Sequence, residues 1–298
     1  MSDVLLSRQQ TDSLRGLAAL TIAVFHLLIA WNCPRVVNLP GSVSVAIFLF
    51  LSGYGINESY KKTGLTDYWR KKFRRVVIPF WLFITVLIPF QLPFSWKDYL
   101  MQVAFIDSPF WFIPYLMWCY ALYWVVQRFF ASHFVIVYVV VALVGLHLLH
   151  QMAAEQSFSF FCGVMASRHI ERLRSLKTKQ LLWIALTALG VGLAFLLLKE
   201  IPQIHAYKGT VFYNYILLFI KLPLAIFVIL LPSLWPLITR SHFLHVCGLA
   251  SLEIYLVHLA VVHQVPMQWL HVLCFVLFTA VFSYLFYQIN HKIIARII

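Results

Sequence analysis

Apolar residues along this chain run in long unbroken stretches. They follow neither the every-third-or-fourth spacing of a surface helix nor the alternation of a half-buried strand. Ten runs stand out: Leu14–Ala30, Val43–Ile56, Val76–Phe90, Phe110–Val126, Phe134–Leu149, Phe158–Ala166, Leu181–Leu198, Val211–Leu231, Val246–Val262 and Trp269–Ile289. Each is apolar nearly all round, which argues for helix in lipid, where a spanning segment must satisfy its own backbone hydrogen bonds. Several fall short of the roughly 20 residues a crossing needs and have to extend into their flanks. The fifth and sixth are crowded by His147, His150, Gln151, Glu155 and Gln156. No internal repeat is apparent. The expected fold is an all-α integral membrane protein, a bundle of about ten transmembrane helices.

Composition sharpens this. Of 298 residues, 62% are hydrophobic and 11% charged, with a mean hydropathy of +0.85; soluble domains run near about 45–50% and 25%. That leaves no room for a large water-soluble catalytic domain, so residues 1–298 are expected to form a single transmembrane domain with nothing soluble appended. No signal peptide is expected either, because Asp3, Arg8 and Asp12 interrupt the start. The five cysteines are widely spaced and mostly in apolar runs, where a thiol packs as a small hydrophobe; neither a disulfide framework nor a zinc site is read from them.

The net charge of +13 would raise nucleic acid in a soluble protein, but the positions of the charges point elsewhere. With a cytoplasmic N-terminus and ten crossings, eighteen Lys and Arg fall in cytoplasmic segments. Four (Arg35, Lys97, Lys199, Lys208) fall outside, and Lys221 lies within a span. This is the positive-inside bias, with both termini cytoplasmic. Trp31, Trp69, Trp96 and Trp111 sit near run ends as interfacial anchors do. The partners this implies are membrane lipids with anionic headgroups, and no nucleic acid.

Charges inside an apolar span cost about 2.5–3.5 kcal/mol each on insertion scales and usually face a cavity. Arg15 and His26 lie eleven residues apart, so they return within roughly 20° of one helical face and stand about 16 Å apart along it. Among Val24, Phe25, Leu27 and Leu28, desolvation favours a neutral imidazole at His26, the form that accepts a proton as a general base. A snorkelling arginine and a packing histidine are the bland alternative. Glu253, one of very few acids within a span, can orient a histidine, pair with Arg15, or simply be hydrated at the rim; His258 follows about 140° further round the helix. The basic stretch Arg70-Lys-Lys-Phe-Arg-Arg75 sits against the mouth of the third run, where it can set topology or hold a phosphorylated ligand. His147-x-x-His150 with Glu155 is a weak metal spacing, and no metal is expected. No nucleophile elbow, P-loop, H-E-x-x-H or dinucleotide glycine pattern appears. Gly53 and Gly55 most simply permit close helix packing.

Six stretches, in order, resemble the motifs of acyltransferase family 3 membrane proteins. They are Arg15-x10-His26 preceded by Asp12; Phe48-Leu-Phe-Leu-Ser52-Gly-Tyr54; the basic stretch leading to Pro79; Phe110-Trp111-Phe-Ile-Pro114; Phe160-Phe-Cys-Gly163; and Ser251-Leu-Glu253-Ile-Tyr255-Leu-Val-His258. The resemblance runs from residue 9 to about 262. It implies a ten-helix enzyme of the bacterial cytoplasmic (inner) membrane that moves an acyl group, usually acetyl from acetyl-CoA as co-substrate. The acceptor it implies is a hydroxyl of a cell-surface glycan or lipid-linked saccharide. By that resemblance, His26 and Arg15 are catalytic, with Glu253 a third candidate. Arg70 or Lys71, with Arg74 and Arg75, bind the donor. Asp12, Ser52, Trp111, Tyr255 and His258 are motif positions without an assigned role. The acid that many relatives carry after the fourth-helix Trp is missing from Pro114-Tyr-Leu-Met-Trp118, which raises the claim of Glu253. Relatives often carry a C-terminal periplasmic hydrolase-like domain, so transfer is expected either unaided or completed by a separate periplasmic transferase; a homo-oligomer is left open.

In the mechanism these residues suggest, the basic stretch holds the CoA phosphates and His26 takes the proton from the acceptor hydroxyl. Arg15 or a helix-end amide steadies the oxyanion, and a transient acetyl-His26 is equally drawable. The competing reading is a proton-coupled transporter or exporter using the same buried His, Arg and Glu; the two related halves that many carriers show are not evident here.

Overall fold

A computed structural model describes residues 5–31, 33, 38–88, 95–106, 108–236, 240–262 and 269–296, and these contain no strand. The helices, in chain order, begin with α1 (Arg8–Ala30), α2 (Asn38–Thr63), α3 (Tyr68–Lys72), α4 (Ile78–Val86), α5 (Trp96–Val103) and α6 (Phe112–Phe129). Then come α7 (Phe134–Leu148), α8 (Gln151–Ala154), α9 (Ser159–Arg168), α10 (Ile170–Arg174), α11 (Thr178–Lys199) and α12 (Pro202–His205). The last four are α13 (Val211–Leu234), α14 (His242–Leu249), α15 (Ser251–Val262) and α16 (Trp269–Arg296). Caps fit the local sequence: Ser7 accepts from the Gln10 N–H at α1 and Thr210 from the Tyr213 N–H at α13.

The chain is a helical membrane protein, and part of the expected set of ten spans is present as long apolar helices. Among the described residues, six are long and apolar enough to cross a membrane, or seven if α14 and α15 count as one broken span. The other runs fall short for visible reasons. The described part of Val76–Phe90, whose residues 89–90 lie outside the described residues, holds the nine-residue α4, and Phe158–Ala166 becomes the ten-residue α9. Phe110–Val126 becomes the 18-residue α6, diluted by Tyr115, Tyr120 and Tyr123. Val246–Val262 is interrupted at Ala250. Arg35, counted above with the outer charges, lies outside the described residues.

The helices gather into two compact units. The first comprises residues 1–62 and 132–249. Two of its helix crossings are backbone to backbone. In one, α2 meets α9: a methyl on Gly53 would overlap the Phe160 carbonyl, and one on Gly163 would overlap the Phe50 carbonyl. In the other, α1 meets α14 through Gly16 against the Leu244 carbonyl and Gly248 against the Asp12 carbonyl. A polar clamp closes one end of the α2–α9 crossing. Asn57 Nδ2 donates to Ser167 Oγ (2.8 Å), which donates to Glu58 Oε1 (2.6 Å), itself paired with Lys61 Nζ (2.7 Å). The start of α1 is tied down by Tyr54, whose hydroxyl donates to the Leu6 carbonyl (3.1 Å), and by Arg174 Nε on the Leu5 carbonyl (3.1 Å).

The second unit comprises residues 63–131 and 250–298. Its core is aromatic. Phe83 packs edge-on to Phe110 with ring centroids 5.7 Å apart, and Phe112 to Tyr255 at 5.5 Å. Tyr68 donates to the Tyr120 carbonyl (2.7 Å), joining α3 to α6, and Trp81 Nε1 to the Val103 carbonyl (3.1 Å), joining α4 to α5.

If the α2–α9 crossing depends on absent side chains, Gly163→Leu should lower the thermal midpoint in detergent or abolish recovery of folded protein, a cost of about 1–3 kcal/mol or more. Gly190, within α11, has nothing within 4 Å of where a Cβ would sit. Gly190→Ala should therefore leave the midpoint unchanged or raise it, since alanine is the better helix former.

Candidate active site

Within the first unit, α1 carries the Asp12–Arg15–His26 constellation. Arg15 Nη1 donates to Asp12 Oδ1 at 3.1 Å, and Nη2 reaches the Leu51 carbonyl of α2 at 3.4 Å. The guanidinium is thus turned back along α1 toward a residue one turn earlier. His26 is half-buried, and its Nδ1 lies 3.0 Å from the Ile22 carbonyl. A carbonyl oxygen only accepts, so in this contact Nδ1 carries the proton, and a neutral ring then has its lone pair on Nε2.

The Ser52-Gly-Tyr-Gly55 stretch serves this arrangement residue by residue. Gly53 makes the α9 crossing and Tyr54 holds the chain before α1. At Gly55 a Cβ would stand 3.3 Å from Arg15 Nη2, so the missing side chain leaves the space the guanidinium fills. Ser52 itself is half-buried, next to the Leu51 carbonyl that Arg15 uses.

Within the second unit, the basic stretch is not a plain helix. A π-helical turn, Phe73–Val77, joins α3 to α4. The cause is Pro79: it lacks an N–H, and its ring would clash with the Arg75 carbonyl four residues back, so the helix widens just before it. π-turns recur at functional sites, and this one carries Arg74 and Arg75. Lys71 Nζ is engaged by Thr63 Oγ1 (2.9 Å), and Lys72 Nζ lies over the Tyr120 ring, 4.3 Å from its centroid. Arg70 and Arg75 are exposed. Arg74 is half-buried, and its Nη2 is shielded from solvent with no hydrogen-bond partner. Desolvation and then the like charge of Arg70 hold the Arg74 guanidinium below its ordinary range, a setting that an anion would relieve.

The same unit joins the fourth and last motifs. Tyr255 packs against Phe110 and Phe112, next to Trp111, which caps α6 and packs on Tyr115. His258 is fully buried, its Nδ1 2.8 Å from the Ile254 carbonyl. Glu253 is buried, and its Oε1 accepts from Asn290 Nδ2 of α16 at 2.9 Å. Of the three fates open to this acid in the sequence, surface hydration is thus replaced by burial against an amide, and Arg15 takes Asp12 as its carboxylate.

Glu155, the acid of the weak metal spacing with His147 and His150, has a partner of another kind. It is buried and ion-paired with Lys221 Nζ of α13, while His147 Nδ1 bonds the Leu143 carbonyl at 2.8 Å. Among the described residues, no three His, Cys, Asp or Glu side chains stand close enough to hold a metal. Sequence reasoning missed this pair, since Lys221 registered only as a charge within a span. It also missed His245, on the face of α14 that meets α1; its one signal was Gly248, three residues later.

A protein-family model, acyltransferase 3, described as an acyltransferase domain, matches residues 9–288. No curated protein and no solved structure matches the chain.

The buried Lys221–Glu155 pair has a stability consequence. Lys221→Met leaves a buried carboxylate alone and should cost about 3–5 kcal/mol, whereas Lys221→Met with Glu155→Leu should recover most of it. Thermal unfolding of the three proteins in detergent reads this directly.

Proposed function

Because the chain belongs to acyltransferase family 3, we propose that it transfers an acetyl group from cytoplasmic acetyl-CoA to a hydroxyl of an extracytoplasmic or lipid-linked glycan, at the bacterial inner membrane. The observation that carries it is the 3.0 Å contact of His26 Nδ1 with the Ile22 carbonyl. With Nδ1–H donating there, a neutral ring presents its lone pair at Nε2, as a general base requires.

In this reading His26 Nε2 takes the proton of the acceptor hydroxyl as the oxygen attacks the thioester carbonyl. The tetrahedral intermediate collapses, the C–S bond breaks, and the imidazolium returns the proton to the CoA thiolate. The alternative, in which Nε2 itself attacks and a transient acetyl-His26 is then taken by the hydroxyl, uses the same atom. Arg15 is assigned to the donor rather than to the oxyanion. Its α-carbon lies about 16 Å along the axis from that of His26, and its guanidinium points the other way, to Asp12. Donor phosphates are assigned to Arg74, with Arg70 and Arg75. Buried, unpartnered Arg74 Nη2 supports this, because a guanidinium nitrogen shielded from water gains most from a phosphate oxygen. Lys71, already bonded to Thr63, is the weaker candidate for the first basic position.

The test is purified protein in nanodiscs with acetyl-CoA labelled in its acetyl group. Wild-type protein should release label from CoA or carry it, and His26→Ala should do neither while still binding CoA. Turnover undiminished in that variant removes the base assignment, and a folded wild type that neither binds nor consumes acetyl-CoA removes the donor. Arg74→Ala should raise KM for acetyl-CoA by about ten- to a hundredfold, the worth of one charge-assisted hydrogen bond, with kcat within a few-fold. An unchanged KM in Arg74→Ala and in the double variant with Arg75→Ala defeats the phosphate reading.

A further inference from the structure

The α1–α14 crossing brings one more polar group to Arg15. Gly16 and Gly248 let the two backbones touch, and Gly248 lies against the carbonyl of Asp12 itself. Asp12 is only 6% exposed. Its Oδ1 accepts from Arg15, but its Oδ2 is buried with no hydrogen-bond partner. On α14, His245 Nδ1 is likewise buried without a partner. These two orphaned atoms face each other at 4.0 Å. Arg8 also approaches Asp12 Oδ2, its Nε 3.9 Å away on a side chain that is 92% exposed.

A buried carboxylate oxygen and a buried ring nitrogen each lose hydration on folding, and each left unpaired costs free energy that a hydrogen bond between them recovers. The gap exceeds a hydrogen bond by about 1 Å, within reach of small side-chain rotations. We infer that His245 is a positioning residue: its Nδ1–H donates to Asp12 Oδ2, and the carboxylate so anchored holds the Arg15 guanidinium through Oδ1. Both Arg15 contacts then come from fixed acceptors, Asp12 from below and the Leu51 carbonyl from α2. A carboxylate held by one oxygen alone rotates about its Cβ–Cγ bond and carries its partner with it; a carboxylate held by both does not. The exposed Arg8 does not substitute, because a solvated side chain shares its charge with water. Asp12 thereby gains a role that its motif position did not reveal. This inference rests on Arg15 serving acetyl transfer, as proposed above.

Two readouts test it, one kinetic and one free of activity. In the labelled acetyl-CoA assay, Arg15→Ala identifies which constant, kcat or KM, Arg15 governs. His245→Ala should move that same constant by about tenfold, the worth of one charge-assisted hydrogen bond. His245→Asn, whose amide nitrogen replaces Nδ1 as a donor, should restore most of it. Adding His245→Ala to Asp12→Asn should cost nothing further, since the two act through one contact. Wild-type kinetics in His245→Ala, or full additivity with Asp12→Asn, overturns the inference. An undiminished Arg15→Ala enzyme, or no turnover by wild type, instead fails the proposed function. The second readout decides in that case as well: solid-state NMR of protein carrying ¹⁵N-labelled histidine in liposomes, with the His245 signal assigned by its absence from His245→Asn. The Nδ1 resonance should shift in Asp12→Asn and stay in place in Arg8→Ala. A resonance that ignores Asp12→Asn overturns the contact whatever the activity shows.

Discussion

In lipid, two helices have no hydrophobic reason to touch, since acyl chains are as apolar as leucine; what holds helices together is the closeness their surfaces allow. The first unit contains two such contacts. Gly53 and Gly163 let α2 and α9 meet backbone to backbone, and Gly16 and Gly248 do the same for α1 and α14. Both crossings bear on the candidate site. The first fixes the helix that supplies the Leu51 carbonyl and the gap at Gly55, and the second sets Asp12 against His245. Removing side chains at four positions is thus what allows a charged arginine to be held at fixed orientation inside an apolar unit.

The second unit solves a different problem. Pro79 cannot donate to the normal helical ladder, and the π-turn it forces at Phe73–Val77 places Arg74 and Arg75 in a widened turn. Neighbouring cations are disposed of locally, Lys71 on Thr63 and Lys72 over Tyr120. Arg74 is left partly shielded, with a nitrogen unsatisfied. A basic cluster that looks uniform in one dimension is therefore divided into spoken-for and available charges.

Among the described residues, buried acids follow one rule: each has a polar neighbour. Asp12 is held by Arg15, Glu155 by Lys221 and Glu253 by Asn290. Only the first lies among residues with an assigned part in the proposed chemistry. Burial of a charge is expensive enough to mark a residue as important, yet it does not separate structural from chemical importance; the partner does.

The sequence by itself determined the class of protein. Long all-round apolar runs admit only helix in lipid, and six motifs in order were enough for the family, because each preserves residue types at fixed spacing along the chain. The Arg15–His26 pair was legible for the same reason, a helix being a local structure whose geometry eleven residues suffice to set. The number of full spans was not legible, since apolar length says nothing of where Ala250 breaks a helix or Pro79 widens one. Nor were the partners. His245 lies 233 residues beyond Asp12, Lys221 lies 66 beyond Glu155, and Asn290 lies 37 beyond Glu253. Which side chain answers a buried charge depends on which helices cross and at what distance, and only the packed structure decides that.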